Sequence, residues 1–499
     1  MSIFVTLDAG TGSGKCVVFD DAGRILGVHR EAWTYDLTVN PEIPFVKEFS
    51  FGAPAFWDIL CSCARSAVAK AGIAANQVTG IAATSQREGC VFLDAQRNEV
   101  YAGPNIDARG FAEGLDVVST LGAERLYQIT GHSAPFIFPI ARYLWYRKHR
   151  TPPVAHVLMI NDWLTYRLSG ELSAEPSNAT ESMMFDLRQR SWSDEILSTF
   201  DIPRDILPPV VRSGERVGML TRAAAAATGL LAGTPVFAGG ADTQCSLLGA
   251  GVLEPGSTAA TLGTTTPLQT VLDGALFDPA SSLWAGCHVV PDRWVIESNA
   301  GDTGDAYIWL LDLVTGGASR EQLYAMGERL ASDGLGAPIM MFVGPTVFDL
   351  TRMRFNRPGG ILFPFPALHV RPDRAGLVRA YLESIAYAMR GNLAQLDAVT
   401  GKHAAELTVS GGMTRSTVLT RIIADVTGLP TRIAGEPESA ALGCAILIAA
   451  NGDSGGLAAA ARAMVRHTRI EPDVEQNERY AAPYAKWRAL NSALDDIEL

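Results

Sequence analysis

The chain has 499 residues, of which 47% are hydrophobic and 19% charged, and its formal net charge at pH 7 is −12. A chain of this length exceeds what one hydrophobic core supports and predicts two large folded domains. The negative charge argues against nucleic acid or an acidic membrane as a partner, and no uncharged apolar run reaches the roughly 18 residues that span a bilayer. The start lacks the basic segment of a signal peptide, and seven cysteines without a C-x-x-C pair predict a reduced, cytoplasmic protein.

The first predicted element is a hairpin whose turn has the composition of a phosphate-binding loop. Apolar strands at residues 3–8 and 15–20 flank a turn of small residues at 9–14. Its glycines let the backbone approach a ligand, and Thr11 and Ser13 add hydroxyl donors. Such a turn directs amide and hydroxyl groups at phosphate oxygens, with Asp8 placed to hold hydrated Mg²⁺. The turn is not a Walker A loop, because the sequence G-x-x-x-x-G-K-[ST] is absent.

The rest of the first half alternates strand and helix patterns. After a third strand at 24–33, helical spacing over 54–71 ends at Gly72, and 78–85 reads as a buried strand. Helices are predicted at 141–149 and 158–168, and the short strand 235–238 enters the sequence GGAD at 239–242. This alternation predicts an α/β fold with a largely parallel sheet behind the leading antiparallel hairpin.

A related pattern starts again near residue 256. A strand at 257–262, a turn at 263–266 and an extended segment at 267–271 echo the first hairpin. They are followed by elements in this order: helices at 302–313 and 376–399, a strand at 407–410, a helix at 417–426, a strand at 431–433 and a helix at 439–450. We therefore expect two α/β domains of similar plan, residues 1–252 and 253–499, facing each other across a cleft.

Four segments far apart in sequence put small or polar residues at the end of an apolar strand, where α/β sheets bind ligands. In this setting the chain resembles the FGGY family of carbohydrate kinases from residue 3 to about 450. The resemblance is carried by the segments DAGTGS (8–13), REG (87–89), DAR (107–109), DWL (162–164), SGEL (169–172), PSNA (176–179), RMRF (352–355) and ALGCA (441–445). It implies two ribonuclease H-like (actin-like ATPase) domains that flank a central cleft.

The resemblance also implies the residues that bind ATP and Mg²⁺ and transfer the phosphoryl group. Asp242 would be the general base, and Asp8 together with Asp242 would hold Mg²⁺. The other implied nucleotide ligands are Thr11, Gly12, Ser13 and Lys15 from the first domain, and Thr264, Thr265, Gly304, Gly411, Gly412 and Ser416 from the second. Plainer alternatives exist for some of them: Asp242 could cap a helix over 243–251, and Lys15 could point to solvent.

The acceptor substrate is expected to bind after the strand that ends at residue 85. Arg87 beside Glu88 can donate to and accept from adjacent hydroxyls, although a surface ion pair is the plainer interpretation. Gln86, Asn105, Asp107 and Asp242 complete the predicted set, with Asp107 alternatively pairing with Arg109. Asn105 stands near the position where glycerol-kinase-like relatives have a tryptophan, which disfavours glycerol. Phe136 and Phe138 could line the pocket or belong to the core.

The sequence thus predicts an ATP- and Mg²⁺-dependent cytoplasmic kinase of a small sugar or polyol, with a homodimer implied by the family. The linear form of autoinducer-2 (dihydroxypentanedione) is the first substrate candidate, followed by a ketopentose such as xylulose and by other polyols such as glycerol. An actin- or Hsp70-like ATPase without a small-molecule acceptor is the alternative from another class. A catalytically silent sugar sensor is a further alternative, which the complete set of acidic and phosphate-loop residues disfavours.

Overall fold

The computed structural model describes residues 2–40, 43, 46–317, 319–334, 339–352, 357–363 and 372–497. Met353, Arg354 and Phe355 of the RMRF segment lie outside the described residues. The strands are β1 Ile3–Ala9, β2 Ser13–Asp20, β3 Ile25–Ala32, β4 Asp36–Val39, β5 Lys47–Ser50, β6 Val78–Ser85, β7 Cys90–Leu93, β8 Glu99–Gly103, β9 His156–Met159, β10 Phe185–Asp186, β11 Ser191–Trp192, β12 Arg216–Met219, β13 Pro235–Ala241, β14 Thr258–Thr261, β15 Thr265–Leu272, β16 Trp284–Cys287, β17 Trp294–Asp302, β18 Met340–Phe342, β19 Gly360–Leu362, β20 Leu407–Ser410, β21 Thr431–Ala434 and β22 His467–Ile470.

The helices are α1 Ala53–Ala71, α2 Phe111–Leu121, α3 Ala123–Thr130, α4 Pro139–His149, α5 Ile160–Ser169, α6 Pro176–Ala179, α7 Asp194–Thr199, α8 Arg222–Thr228, α9 Asp242–Gly249, α10 Gly304–Thr315, α11 Arg320–Asp333, α12 Arg374–Thr400, α13 Thr417–Thr427, α14 Ser439–Ala450, α15 Ser454–Met464 and α16 Val474–Asp495. Within the described part of the chain, no helix is long and apolar enough to cross a membrane.

Two large sheets share one strand order. Read from its other edge, the N-terminal sheet runs β3-β2-β1-β6-β13-β12. The C-terminal sheet runs β16-β17-β15-β14-β20-β21-β22, which is the same order with β16 added at one edge. In each sheet the first strand in sequence (β1 or β14) pairs antiparallel with the next strand and parallel with a later one (β6 or β20). The predicted fold class, two ribonuclease H-like domains, is confirmed by this repeated plan.

The hairpin at the start forms because its strands are apolar on both faces. Every residue of β1 is buried, and β2 is buried from Cys16 to its end. Helix α1 covers one face, with Leu60, Cys63 and Ala64 packed among the side chains of β1 and β2. The helix ends as predicted at Gly72, whose φ of 63° is the left-handed conformation that glycine adopts without strain.

Two helices cross between the domains and pack against each other. Helix α14 lies in the C-terminal half of the chain, yet it packs against the N-terminal sheet in one cluster with Phe4, Phe19 and Ala82. Helix α9 follows the N-terminal sheet and extends into a cluster with Ala259 and Val271 of the C-terminal sheet. Each helix therefore belongs to one half of the sequence and stabilises the sheet of the other.

Most predicted bounds are close to those observed, and the differences have local causes. Strands 78–85 and 407–410 and helix 439–450 are found with the predicted ends. The helix predicted over 158–168 is wrong at its start, because residues 156–159 form β9, and the helix occupies Ile160–Ser169. The apolar run His156–Met159 pairs with β7 in a small three-stranded sheet with β8, and this tertiary contact overrides the helical spacing.

Candidate active site

The carboxyl ends of the parallel strands bring the predicted catalytic segments together. In the N-terminal sheet Ala9 lies opposite Ser85, and Ser85 lies opposite Ala241, so the three strands end at one edge. In the C-terminal sheet Thr261 lies opposite Ser410 in the same way. The segments that follow these residues contain most of the predicted ligands, as expected for the carboxyl edge of an α/β sheet.

Asp242 is the first residue of α9 and faces another carboxylate. Ala241 holds the cap position of α9 and Asp242 is the first helical residue, so Asp242 does not occupy the cap position of the alternative interpretation. Its Oδ1 accepts a hydrogen bond from the Thr243 hydroxyl at 3.1 Å. Burial and the charge of Asp8 raise the pKa of Asp242 to about 6, against the opposing influence of Arg87.

A buried hydrogen-bond relay fixes the backbone in front of Asp242. The amide of Ala241 donates to Ser177 Oγ at 2.9 Å, and that hydroxyl donates to Glu175 Oε2 at 2.5 Å. Glu175 is fully buried and also accepts from the Ser213 hydroxyl at 2.5 Å. Sequence reasoning placed Ser177 in a family segment without a role, and the structure gives it one as a support of the strand end before Asp242.

The first phosphate loop is open on the side of Gly12. Thr11 Oγ1 accepts from the Asn105 side-chain amide at 3.2 Å, and the Gly10 amide donates to the Ser13 carbonyl at 3.1 Å. A Cβ at Gly12 would meet no atom within 4 Å. The loop is thus held by its neighbours while the backbone around Gly12 keeps space for phosphate oxygens.

Lys15 lies between two carboxylates that come from different domains. Its Nζ is 2.9 Å from Asp8 Oδ2 and 2.6 Å from Glu438 Oε2. Burial disfavours the ammonium charge, but the carboxylates of Asp8 and Glu438 outweigh burial and raise the pKa of Lys15. The side chain therefore points into the cleft and not to solvent, and Glu438 is a partner that sequence reasoning missed.

The second phosphate loop rests on the start of α10. Thr264 and Thr265 are exposed in the turn between β14 and β15, and the Thr264 carbonyl accepts from the Gly304 amide at 2.8 Å. A Cβ at Gly304 would lie 2.2 Å from the Gly263 carbonyl oxygen. Gly304 is thus required for the close contact of helix and loop, and its predicted contact with adenosine stays a prediction.

The third loop follows β20. Gly411 has a φ of 94° and packs against the backbone of Leu262, whereas a Cβ at Gly412 would meet no atom within 4 Å. The Ser416 hydroxyl accepts from the Leu419 amide as the cap of α13 and donates to Glu328 Oε2 at 2.5 Å. Gly412 therefore borders free space, while the Ser416 hydroxyl already donates one hydrogen bond and accepts another, and its contact with the nucleotide stays a prediction.

Arg87 joins the two domains at the acceptor end of the cleft. Its guanidinium donates to both carboxylate oxygens of Glu297 at 2.7 and 2.9 Å. Glu181 and Glu88 lie 3.6 and 3.9 Å from the same guanidinium. Burial raises the pKa of Glu88 to about 7, and the charge of Asp242 adds to this effect while Arg87 opposes it. The ion pair expected at the surface is buried.

The remaining predicted acceptor ligands differ in whether their side-chain oxygens already have hydrogen-bond partners. Gln86 Oε1 accepts from the Asn105 amide at 3.0 Å, and Asn105 Oδ1 is buried without a hydrogen-bond partner. The Asp107 carboxylate accepts from the Phe49 amide at 2.9 Å and from Arg109 Nε at 2.6 Å. Asp107 therefore makes the alternative pairing with Arg109, whereas Asn105 offers an unused acceptor.

Four residues beside Arg87 were missed by sequence reasoning: His132, Glu181, Trp284 and Glu297. The Trp284 ring centroid is 5.5 Å from Arg87 Cζ and 5.5 Å from the His132 ring. Phe138, expected in the pocket wall or the core, is 2% exposed and lies 5.1 Å from the His132 ring. None of these residues lies in a glycine-rich strand end, so no local signal marked them.

The two facing carboxylates fit Mg²⁺ that arrives with a nucleotide. Among the described residues, no three His, Cys, Asp or Glu side chains are arranged to hold a metal ion by themselves. Asp8 and Asp242 are close enough for the charge of one to raise the pKa of the other. A pair of carboxylates completed by phosphate oxygens and water is the donor set that Mg²⁺ prefers in kinases.

Comparisons with known proteins agree with this geometry. Residues 3–249 match the N-terminal domain, and residues 258–451 the C-terminal domain, of the FGGY family of carbohydrate kinases. The autoinducer-2 kinase of Escherichia coli strain K12 is 34% identical over 506 residues, which cover 97% of this chain and 93% of that protein. The predicted boundary at residue 252 lies between the two matched segments and stays a prediction.

Solved structures show the same architecture over the whole chain. The xylulose kinase from Rhodospirillum rubrum has a TM-score of 0.83 at 25% identity and covers 99% of both chains. The gluconate kinase from Lactobacillus acidophilus has a TM-score of 0.84 at 16% identity, covers 99% of this chain and 98% of its own, and shows the fold alone. The chain therefore belongs to the FGGY family of carbohydrate kinases and is an ATP-dependent kinase of a small sugar-like substrate.

Proposed function

We propose that the chain transfers the γ-phosphoryl group of ATP to a hydroxyl of a small hydroxylated carbonyl compound. The linear form of autoinducer-2 (dihydroxypentanedione) is the first candidate, and a ketopentose such as xylulose is the second. The autoinducer-2 kinase of E. coli supports the first, with 34% identity over 97% of this chain. The xylulose kinase of R. rubrum supports the second, with 25% identity over 99% of this chain.

The observation that carries the proposal is the meeting of Asp242, Arg87 and Asp8. In the proposed reaction the Asp242 carboxylate accepts the proton of the attacking hydroxyl. Its pKa of about 6 lies near neutral pH, where a general base is most efficient. Arg87 and Glu88 position the acceptor beside it, and Asp8 is the carboxylate of the metal-binding side.

The nucleotide would bind between the loops of the two domains. Gly12 and its neighbours would contact the phosphates from one side, and Thr264 and Thr265 from the other. When bound to Asp8 and Asp242, Mg²⁺ neutralises charge on the phosphate oxygens. Lys15 adds a positive charge at the same place, since its ammonium already lies 2.9 Å from Asp8. Closing the domains on both substrates excludes water that would compete as acceptor.

Two further properties complete the proposal. We propose a cytoplasmic location, which is supported by seven cysteines that are all free and buried. The homodimer stays a prediction that the family implies, and sedimentation of the purified protein measures it.

The test is ADP release from Mg-ATP with and without a panel of acceptors: dihydroxypentanedione, xylulose, ribulose, glycerol and erythritol. We expect release to depend on an acceptor and to be fastest with dihydroxypentanedione. Faster turnover of xylulose would favour the second candidate. ADP release that none of these compounds changes would contradict the kinase proposal and favour an ATPase of the actin or Hsp70 class, which gives Arg87 and Asp242 no role.

A further inference from the structure

More carboxyl groups surround Arg87 than its one positive charge can neutralise. Asp242, Glu88, Glu181 and Glu297 all interact with this one guanidinium. Glu297 accepts from both terminal nitrogens, and Glu181 and Glu88 lie 3.6 Å from Nη1 and 3.9 Å from Nε, so carboxyl groups already surround the guanidinium. An acceptor with a carboxylate of its own would bring a further negative charge into a buried, acid-rich site.

Arg142 adds a positive charge near Glu88, but its guanidinium is bonded to the backbone. Its side chain is fully buried, and its guanidinium donates to backbone carbonyl oxygens, among them that of Pro104 at 2.8 Å and that of Glu88. These bonds hold the loop of Glu88. The pocket is therefore suited to an uncharged acceptor.

His132 adds unused hydrogen-bonding groups next to Arg87. The residue is 1% exposed, and neither ring nitrogen has a hydrogen-bond partner. Its Nε2 lies 3.4 Å from Glu181 Oε2, and that oxygen is also buried without a partner. The Trp284 Nε1 hydrogen, beside the same imidazole ring, is a third unused polar group. Buried polar groups are seldom left unpaired, so the cluster indicates a ligand.

Burial disfavours a charge on both His132 and Glu181. Burial, helped by the charge of Arg87, lowers the pKa of His132 to about 3, so the imidazole is neutral and carries one N–H. Burial raises the pKa of Glu181 well above its ordinary value, and the charges of Glu88 and Glu297 add to this against Arg87. A neutral imidazole and a carboxylic acid side by side can both donate to one oxygen, and a carbonyl oxygen has two lone pairs to accept them.

We propose that His132 and Glu181 form a specificity subsite that binds the carbonyl oxygen of an uncharged hydroxy-ketone acceptor. The proposal rests on the proposed function and deepens it, because such a subsite would favour a ketone over a polyol or a sugar acid. A hydroxyl in place of the carbonyl would bring a hydrogen of its own between two donors, and a carboxylate would add charge.

The test compares each ketone with its reduced form. Wild-type kcat/KM is measured with dihydroxypentanedione, with xylulose, with the borohydride-reduced polyol of each, and with gluconate as the acidic acceptor. We expect each ketone to exceed its reduced polyol by at least about tenfold, and gluconate to give no turnover, since a site built to hydrogen-bond an oxygen rejects analogues that leave its groups unpaired. A reduced polyol used as well as its ketone would overturn the subsite while leaving the kinase intact. Wild-type protein that phosphorylates none of these compounds would instead contradict the proposed function.

Variants separate recognition from folding. His132→Leu and Glu181→Leu are each expected to lower kcat/KM for the ketone about 10- to 100-fold, mainly through KM, and to reduce the ketone-to-polyol ratio to below about threefold. Glu181→Gln keeps a neutral donor and is expected to stay within about threefold of wild type. His403→Leu, at a histidine whose side chain is 94% exposed, is the matched control.

The KM for ATP and the thermal unfolding temperature are recorded for every variant. If a leucine variant fails to fold, the comparison of His132→Gln and Glu181→Gln with wild type still measures the ketone-to-polyol ratio. An unchanged ratio in folded His132→Leu, or a loss in Glu181→Gln as large as in Glu181→Leu, would overturn the proposal.

Discussion

Arg87 and Glu297 are 210 positions apart in sequence and form a two-point ion pair across the cleft. The guanidinium comes from the end of the N-terminal sheet, and the carboxylate comes from strand β17 of the C-terminal sheet. Glu297 also accepts from the Gln269 side-chain amide at 2.6 Å. Arg87, the arginine proposed to bind the acceptor, is therefore held in place by a residue of the opposite domain.

The first prediction concerns this pair. In Glu297→Gln the guanidinium loses its two-point partner, and we expect KM for the acceptor to rise about tenfold while KM for ATP changes little. The loss of stability should be about 1–3 kcal/mol, below the 3–5 kcal/mol usual for breaking a buried pair, because Glu181 and Glu88 remain close to Arg87. Steady-state kinetics and thermal unfolding measure the two effects.

Glu195→Gln is the matched control for Glu297→Gln. Glu195 pairs with Arg125 on the surface, where both side chains are more than 40% exposed. Such pairs contribute at most about 1 kcal/mol, and this one lies outside the cleft. Equal effects of the two substitutions on KM for the acceptor would contradict the role of Glu297.

The second prediction concerns Asp242 and pH. A general base acts in its deprotonated form, so kcat/KM for the acceptor should fall as pH decreases through about 6, the raised pKa of Asp242. Glu88, with a pKa of about 7, interacts with the same group, so the observed pH profile belongs to the pair. Asp242→Asn should lower kcat about 10²- to 10⁴-fold and keep ATP binding. Near-normal activity of this variant would remove Asp242 from catalysis.

The same pKa shift predicts how Asp242 affects stability. A carboxyl group whose pKa is raised by folding stabilises the folded state when protonated, and this contribution is lost as pH rises from about 4 to about 6. At pH 8 the charged Asp242 is therefore unfavourable in the folded protein, and Asp242→Asn should unfold at an equal or higher temperature than wild type. A lower unfolding temperature would mean that the loss of activity comes from damage to the fold.

The sequence was sufficient for the strand ends but not for the partners across the cleft. Asp8 lies near the end of the buried strand β1 and Asp242 directly follows the buried strand β13, so local patterns placed both at the right edge of the N-terminal sheet. Glu297 lies within a strand, and nothing in its neighbours distinguishes it from other strand residues. Its importance arises only when the domains face each other, and such contacts between distant residues have no local signal in a single sequence.

For Asp107 the sequence suggested a ligand, whereas its carboxylate is engaged by neighbouring residues in the structure. A polar residue near a predicted binding loop is an attractive candidate ligand, but its carboxylate binds Arg109 and the hydroxyl of Tyr101 at 2.5 Å. Whether a carboxylate faces a ligand or supports a loop depends on neighbours from other elements. Here that neighbour is Phe49 of strand β5, whose backbone amide donates to Asp107. The segment that resembles the family marked the right loop without distinguishing these roles.

The third prediction concerns Lys15 on the nucleotide side. Lys15→Met removes the ammonium between Asp8 and Glu438, and we expect KM for ATP to rise about 10- to 100-fold, since a charged hydrogen bond contributes about 1.5–3 kcal/mol. KM for the acceptor should change far less. Lys148→Met, at a lysine whose side chain is 64% exposed, is the control. A rise confined to KM for the acceptor would contradict the assignment of Lys15 to the nucleotide.

The fourth prediction concerns the crossing of helices α9 and α14. A Cβ at Gly443 would lie 2.0 Å from the Cys245 carbonyl oxygen, and one at Gly249 would lie 1.9 Å from that of Ser439. Because each helix is anchored in the opposite domain, extra volume at the crossing must separate the helices and change the angle between the sheets. We expect Gly443→Ala to destabilise the protein by about 1–3 kcal/mol and to lower kcat with both substrates saturating.

The control for Gly443→Ala is Gly274→Ala, since a Cβ at Gly274 would meet no atom within 4 Å. Thermal unfolding measures stability, and small-angle scattering with and without nucleotide measures closure. If the crossing sets the domain angle, Gly443→Ala should compact less on adding nucleotide than either wild type or Gly274→Ala. Equal stability and equal compaction of the two variants would show that the helix crossing tolerates the added volume and does not control closure.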